Sequence, residues 1–458
     1  MARPPRAVFV TLLATALSTA LCAGLVSGAR AVPGSVQTAQ AQAPAVLAPA
    51  QAEGVAPTAA GVQKVLAAIL ADPSLGKHRG VYVYDASRNK PVFSAGTALP
   101  FVPASTLKLL TTVSALETLG AEHRFVTKAV SAGKGSLILV GGGDPLLTSK
   151  RQTNPSDYPT RASLQDLAVT TAKALKAQGL TSVTLAYDAS LFTGPAANAN
   201  WEPNYLPEGI AASTSALWVN EGRLAPGLAK RAVSPAQAAA AAFATQLKAA
   251  GIKVAPTIKP AVAPAAATAV AQVQSPTVGQ IVEHVNLHSD NDGAEVLLRH
   301  VGLATKNGGS YAGGVTGLRA TLTKLGLDVG KAKIYDGSGL TRANRVPLDL
   351  LAGAIRVAAS AEHPELRHLL TGLPVAGFTG SLEERFAGPG AGAGTGLVRA
   401  KTGTLTGVHS LAGLARDRTG TLLVFAMATD SVAVPQTLNA RAALDRAAAA
   451  LANCGCAA

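Results

Sequence analysis

Apolar residues alternate at both ends of this 458-residue chain and fall at helical spacing between them, and this arrangement constrains the fold more than any other feature. Residues 80–86 (Gly-Val-Tyr-Val-Tyr-Asp-Ala) read as a strand, followed by a strand partner and a helix beginning at 105–108. Near the other end, 396–402, 408–415 and 421–428 read as three adjacent antiparallel strands joined by Gly-containing turns, before a last helix to about 452. Helical spacing fills 61–72, 277–303, 315–325 and 348–359. Strands at both ends with helices between them fit one α+β domain whose sheet is closed by both ends of the chain. With 48% hydrophobic and 14% charged residues, enough apolar surface is available to offset the ordering entropy, which excludes wholesale disorder.

The predicted organisation has four parts. Arg3 and Arg6, an apolar stretch over 8–26 and the small-residue site Ala29-Arg30-Ala31 read as an export signal over 1–31, either cleaved after Ala31 or retained as a membrane anchor. Residues 32–60 are rich in Ala, Pro, Gln and Gly with one charge, Glu53, and read as a linker. The catalytic domain is expected over 61–122 and 277–458. Residues 123–276 mix short strands (136–140, 182–187), helices (164–176, 235–250) and a Pro/Ala-rich stretch (256–267), and read as an inserted domain.

The chain carries a net charge of +14, and losing residues 1–31 removes three arginines and no acid, leaving +11. That raises nucleic acid and anionic envelope polymers as partners. Nucleic acid is poorly supported: there is no basic run, and only 2 Trp, 7 Tyr and 9 Phe stand beside an export signal. Three cysteines exclude a disulfide framework. Cys454 and Cys456 could pair, although a ring with one intervening residue is strained.

Three short motifs carry chemistry. Ser105 and Lys108, three apart at a helix start, share one face, so a lysine of lowered pKa could take the serine proton; the apolar neighbours Phe101, Val102, Leu107, Leu109 and Leu110 suit a buried lysine. Ser289-Asp290-Asn291 interrupts a helical run and exposes a hydroxyl and a carboxamide, though alone it reads better as an ordinary helix N-cap. Lys401-Thr402-Gly403-Thr404 ends a strand, where Gly403 admits a ligand to the backbone and the lysine and threonines suit a carboxylate. His284 and His288 lie four apart, a spacing metal sites use, but no third ligand is evident and no metal or cofactor is expected. The run 388–396 matches neither nucleotide-loop pattern and reads as a flexible hairpin loop.

Taken in order, S-x-x-K, S-D-N and K-T-G resemble the motif set of active-site serine penicillin-binding proteins and β-lactamases. The wider context resembles the low-molecular-mass class C penicillin-binding proteins, the D-alanyl-D-alanine carboxypeptidase/endopeptidase family. It includes Pro103-Ala104-Ser105-Thr106-Leu107-Lys108, Gly141-Gly142-Gly143-Asp144-Pro145, Asp336-Gly337-Ser338-Gly339-Leu340-Thr341-Arg342, Gly380-Ser381-Leu382 and Lys401-Thr402-Gly403-Thr404-Leu405. The resemblance implies a penicillin-recognising, transpeptidase-like fold with a long insert between the first two motifs. It also implies Ser105 as nucleophile, Lys108 as general base, Ser289 as proton relay and Asn291 as holder of the substrate amide. Lys401, Thr402 and Thr404 would bind the terminal carboxylate across Gly403. Asp144, Leu405 and Arg342 would line a pocket for the amino group of the stem's diamino acid, although a turn closed by Asp144-Pro145 and a solvated Arg342 remain open. Glu295 and Asp336 are expected as structural hydrogen-bonding partners. The implied partners are stem peptides ending in D-Ala-D-Ala, penicillins as covalent inhibitors and the anionic envelope, with the protein exported to the wall or the outer face of the cytoplasmic membrane. A β-lactamase shares all three motifs, but no E-x-x-L-N string is present. A non-catalytic wall-binding protein of the same fold is the other alternative.

Overall fold

The computed structural model describes residues 55–225 and 227–457; the expected export signal and most of the expected linker lie outside these residues. Among the described residues no helix is long and apolar enough to cross a membrane. The first described element is α1 (Ala59–Leu70), capped by Thr58, whose hydroxyl accepts the Gly61 N–H. Two strands follow, β1 (Arg79–Asp85) and β2 (Lys90–Ala95). A 3-10 turn, Ala104–Leu107, then runs directly into α2 (Lys108–Leu119), which stops at Gly120 with φ 83°.

The middle of the chain builds β3 (Val126–Ser131), β4 (Ser136–Val140), α3 (Leu164–Ala177), β5 (Ser182–Asp188), α4 (Pro235–Ala249), β6 (Lys253–Pro260) and β7 (Thr268–Gln274). Next come α5 (Val278–His288), α6 (Asn291–Ala304), α7 (Tyr311–Lys324), α8 (Leu348–Ala359) and the single turn α9 (His368–Thr371). The chain closes with β8 (Val398–Leu405), β9 (Val408–Arg416), β10 (Leu422–Thr429) and α10 (Thr437–Ala452).

Two five-stranded sheets result. The first, ordered β2-β1-β10-β9-β8, is antiparallel throughout and joins the two ends of the folded chain by pairing β1 with β10. The period of two sends Val81 and Val83 to one face, where they pack with Leu66 of α1 and Leu451 of α10. It sends Tyr84 to the other, where Val113 of α2, Val282 of α5, Leu297 of α6 and Leu351 of α8 form the larger core. Both faces are therefore covered, as the nearly unbroken apolar runs of β9 and β10 require.

The second sheet, ordered β6-β5-β4-β3-β7, comes wholly from residues 126–274 and is mixed: β4, β5 and β6 run parallel, β3 and β7 antiparallel. Helices α3 and α4 cover it through Leu167, Leu175, Phe243 and Leu247. The Pro/Ala-rich stretch is flanked by two strands that the composition conceals. Pro256 and Pro260 sit on β6, an edge strand, where a missing N–H leaves no ladder bond unmade.

Two other expectations change. Residues 388–396 do not form a hairpin loop, because no strand precedes them; the run follows a 3-10 turn at Gly380–Leu382, and Gly394 packs under Phe386 before β8 begins. Cys454 and Cys456 do pair in a disulfide, beside the Thr58 cap that bonds to the Cys456 carbonyl.

Candidate active site

Each motif arrives on a different element, and local backbone chemistry aims it. Ser105 lies in the 3-10 turn before α2, which is bent into place by Ala104 at φ 46°. One turn later Lys108 opens α2 with its side chain fully buried. Between α5 and α6 the helical run breaks. A capping box of Thr277 and Gln280 starts α5, Ser289 ends it in the left-handed region (φ 58°, ψ 37°), and Asp290 restarts the helix by accepting the Asp292 N–H. That reversal brings the Ser289 hydroxyl to Lys401 and the Asn291 carboxamide to Lys108 at the start of α2. Lys401 comes from β8, an edge strand that pairs with β9 on one side and on the other is bridged by Val375 at Arg399, two residues before Lys401.

The three motifs meet at two lysines. Lys108 Nζ lies 2.9 Å from Ser105 Oγ, 2.8 Å from Asn291 Oδ1 and 2.8 Å from the Ser338 carbonyl. Lys401 Nζ lies 2.8 Å from Ser289 Oγ and 2.9 Å from the Thr402 carbonyl. Burial pushes the Lys108 amine down from 10.5 to about 8, against the opposing pull of Glu295, Asp290, Asp336 and Asp292. Lys401 is pushed well below its ordinary value, by burial first and by the nearby Lys108 charge second. A lysine near 8 is partly neutral at physiological pH, with a lone pair one hydrogen bond from a serine hydroxyl, so the arrangement can deprotonate a nucleophile.

Below the lysines lies a floor of buried carboxylates. Glu295 accepts the N–H groups of Gly337 and Ser338 at 2.9 and 2.8 Å, which fixes the carbonyl that Lys108 meets. Asp336 gathers Gly339 N–H, Thr341 N–H, Asn344 Nδ2 and Trp201 Nε1. Burial and Asp336 push Glu295 up to about 8. Neither carboxylate touches Ser105, so both are structural partners.

Gly403 sets the spacing between β8 and the turn that carries Ser105. A methyl there would lie 2.6 Å from the Pro103 carbonyl and closer still to Ser410 Oγ, which itself donates to that carbonyl at 2.7 Å. Thr402 shares a 2.8 Å hydrogen bond with Ser381, and Thr404 stands exposed at the strand end.

The sequence profile of the D-Ala-D-Ala carboxypeptidase 3 (S13) family matches residues 62–233 and 225–451, spanning every one of these elements. The chain belongs to the S13 family. It is a hydrolase of the serine-type D-Ala-D-Ala carboxypeptidases, as the motif order implies. Carboxypeptidase DacB of Mycolicibacterium smegmatis is 34% identical, over 98% of this chain and 97% of that protein. The D-alanyl-D-alanine carboxypeptidase of Actinomadura sp. strain R39 is 31% identical over 76% and 77%. The crystal structure of penicillin binding protein 4 (dacB) from Haemophilus influenzae superposes with a TM-score of 0.67 at 21% identity, covering 84% of this chain and 98% of that one. The penicillin-binding, α+β fold expected from the motifs is thus the fold of this S13 chain.

The remaining candidates do not all gather at the lysines. Arg342 donates to the Thr406 carbonyl at 2.9 Å and lies 3.6 Å from Glu202, while half-buried Leu405 packs against Val102, Ala104 and Val408, so both border the 405–407 turn. Asp144 is buried in the turn after β4. Its Oδ1 accepts the Leu146 N–H at 2.8 Å, as a turn-closing aspartate does, and its Oδ2 has no partner among the described residues. Burial pushes its carboxyl up to about 7. No hydrogen bond or ion pair among the described residues joins Asp144 to Arg342 or Leu405.

His284 does find acidic company that the sequence concealed: its ring and the carboxylates of Glu221 and Asp290 offer atoms within 4.8 Å of one another. His288 is absent from that group, and Glu221 already faces Arg161, Arg223 and Arg231.

Sequence reasoning assigned no role to Ser338, Ser381, Ile210 or Arg231. The Ile210 carbonyl accepts from Asn291 Nδ2 at 2.9 Å, the Ala212 N–H donates to Asp292 at 2.7 Å, and buried Arg231 pairs with Asp292 at 2.7 Å. Ser338 and Ser381 stood inside quoted motif strings. A main-chain carbonyl 81 positions from its partner leaves no trace in the sequence.

Proposed function

We propose that this chain is an exported carboxypeptidase of the cell wall that removes the terminal D-alanine from stem peptides through an acyl-enzyme on Ser105. The observation that carries this reading is the buried Lys108 amine, lowered to about 8 and 2.9 Å from Ser105 Oγ. Lys108 takes the Ser105 proton as Oγ bonds to the carbonyl between the two D-alanines. The N–H groups of Ser105 and Thr404 meet the oxyanion, a contribution of about 10² to 10³ in rate per donor. Ser289, held by Lys401, passes a proton to the leaving amine as the C–N bond breaks, and Asn291 holds the substrate amide. Lys401, Thr402 and Thr404 receive the terminal carboxylate across Gly403, and that arriving charge offsets the burial of Lys401. Water then cleaves the ester and frees Ser105.

Residues 123–276 act as an inserted domain. Asp144, with an unpartnered buried oxygen, meets the ammonium of the stem's diamino acid, and Leu405 and Arg342 line the approach. Penicillins acylate the same serine, in keeping with the β-lactam bound to the structurally similar Haemophilus influenzae protein. Cross-links between stems present the same bond, so endopeptidase cleavage is part of the reading. The positive charge of the chain holds it to the anionic envelope; retention on isolated walls falls as salt rises if this is so.

The test is incubation with a labelled penicillin and with a stem peptide ending in D-Ala-D-Ala, beside Ser105→Ala. Stable labelling and D-alanine release, both lost in the variant, are expected. Fast penicillin turnover without D-alanine release would replace this reading with a β-lactamase, and labelling without release from peptide or wall would replace it with a wall-binding protein.

A further inference from the structure

A second recess, of about 370 Å³, opens between β1 and α8 and shares no residue with the catalytic cleft. Its shape follows from residue spacing. Asp349 and Arg356 are seven apart on α8, so they lie on one face about 10.5 Å apart along the axis. Between them that face carries Ala352 and Gly353, which leave a hollow in the helix surface. Gly353 also receives Leu327, whose methyl would meet any added Cβ at 2.7 Å.

One wall is formed by Tyr82 and Tyr84, which point to the same side of β1. The other is the turn of Gly326, Leu327 and Asp328, where Gly326 at φ 73° has open space in front of it.

The polar groups around the recess are largely uncommitted. Arg356 makes no hydrogen bond or ion pair among the described residues and only faces the Tyr84 ring at 5.6 Å. Asp349 accepts just the Leu350 N–H beside it, and Asp328 closes its own turn through Gly330. Burial, then Asp349, pushes the Tyr82 phenol up, so it stays a hydrogen-bond donor. Two carboxylates against one guanidinium disfavour a phosphate or another anion. Aromatic faces beside a mixed ring of donors and acceptors suit a neutral, hydroxyl-rich ring that stacks with one face and hydrogen-bonds with its edges.

We infer that this recess binds the amino-sugar glycan strand of the wall polymer, placing an N-acetylated sugar ring against Tyr82 with Asp328, Asp349 and Arg356 on its hydroxyl and amide groups. The inference rests on the wall reading above and adds a contact to the polymer away from the peptide being cut.

The test titrates the intact protein with the trisaccharide of N-acetylglucosamine, with maltotriose as a control sugar, and follows binding by calorimetry. The double variant Asp349→Asn/Arg356→Gln is compared with the parent, and matched melting midpoints establish that it is folded. Saturable binding of the trisaccharide in preference to maltotriose, weakened at least tenfold in the variant, is expected. Hydrolysis of a soluble D-Ala-D-Ala peptide should stay within twofold while D-alanine release from intact wall falls. No binding by the parent at millimolar sugar, equal binding of maltotriose, or binding unchanged in the variant would overturn the inference. Failure of the soluble-peptide hydrolysis in the parent would instead overturn the carboxypeptidase reading, which the sugar titration does not depend on.

Discussion

The two sheets of this molecule divide the work unequally. The antiparallel sheet built from both ends of the chain, with the helices on its inner face, carries the side chains that meet at the two lysines: Ser105 and Lys108 beside α2, Ser289 and Asn291 between α5 and α6, Lys401 on β8. The region that builds the mixed sheet supplies none of them. Yet its long connection between β5 and α4 reaches across to hold them, through Trp201 on Asp336, Ile210 on Asn291, and Ala212 and Arg231 on Asp292. Chemistry and alignment therefore come from different stretches of sequence.

If that division holds, changes in the two regions should differ in kind. The largest effect is expected for Ser105→Ala, a loss of about 10⁵ to 10⁶ in D-alanine release, comparable to removal of other catalytic serines. Its unfolding midpoint should stay close to the parent's. An equal loss of stability would mean that the turn, and not the nucleophile, had been damaged.

Next comes Arg231→Met, which strands buried Asp292. Breaking a buried pair in this way typically costs about 3–5 kcal/mol, readable by urea unfolding. Because Asp292 follows Asn291, acylation by a labelled penicillin should slow as well. A destabilised protein with unchanged acylation would show that the brace holds the fold but not the motif.

Smaller again is the pH response. Acylation needs Lys108 neutral, and its pKa is near 8, so the acylation rate should climb about tenfold per pH unit below 8 and level off above it. The same shift acts on stability. The penalty for a charged buried Lys108 is fully present below about 8 and gone above 10.5, so stability should rise with pH across that window. A flat acylation profile between pH 6 and 9 would remove Lys108 as the base.

The smallest effect is expected for Ser163→Ala, which deletes the cap of α3 in the mixed-sheet region at a cost of about 1 kcal/mol. Hydrolysis of a soluble peptide should not change. A clear loss of activity would mean that the second sheet does more than brace.

How much of this was legible in the sequence follows the same line. Local signals marked β1, α8, β8, β9, β10 and the end of α10 within a few residues, because apolar periodicity and glycine turns are local quantities. The three motifs were legible in their order, and the structure brings their side chains together. The mixed sheet was not. Strands β3, β6 and β7 went unread, since two of them flank or contain prolines and their pairing joins residues as far apart as Val126 and Gln274. The brace was invisible because its acceptor is a main-chain carbonyl and its cation, Arg231, lies beyond any motif. Glu221 stayed hidden as a neighbour of His284 for the same reason, since it reaches that ring only through the fold.

Gly403 carries a last consequence. A methyl at that position would need about 0.8 Å of extra clearance from the Pro103 carbonyl to reach ordinary contact distance, 3.4 Å in place of 2.6 Å. A displacement of about 1 Å between reacting groups is enough to cost about 10² in rate. The gap between β8 and the turn that carries Ser105 is thus a fixed gauge, one hydrogen atom wide. No side chain can be fitted there by adjusting its neighbours without moving one half of the cleft away from the other.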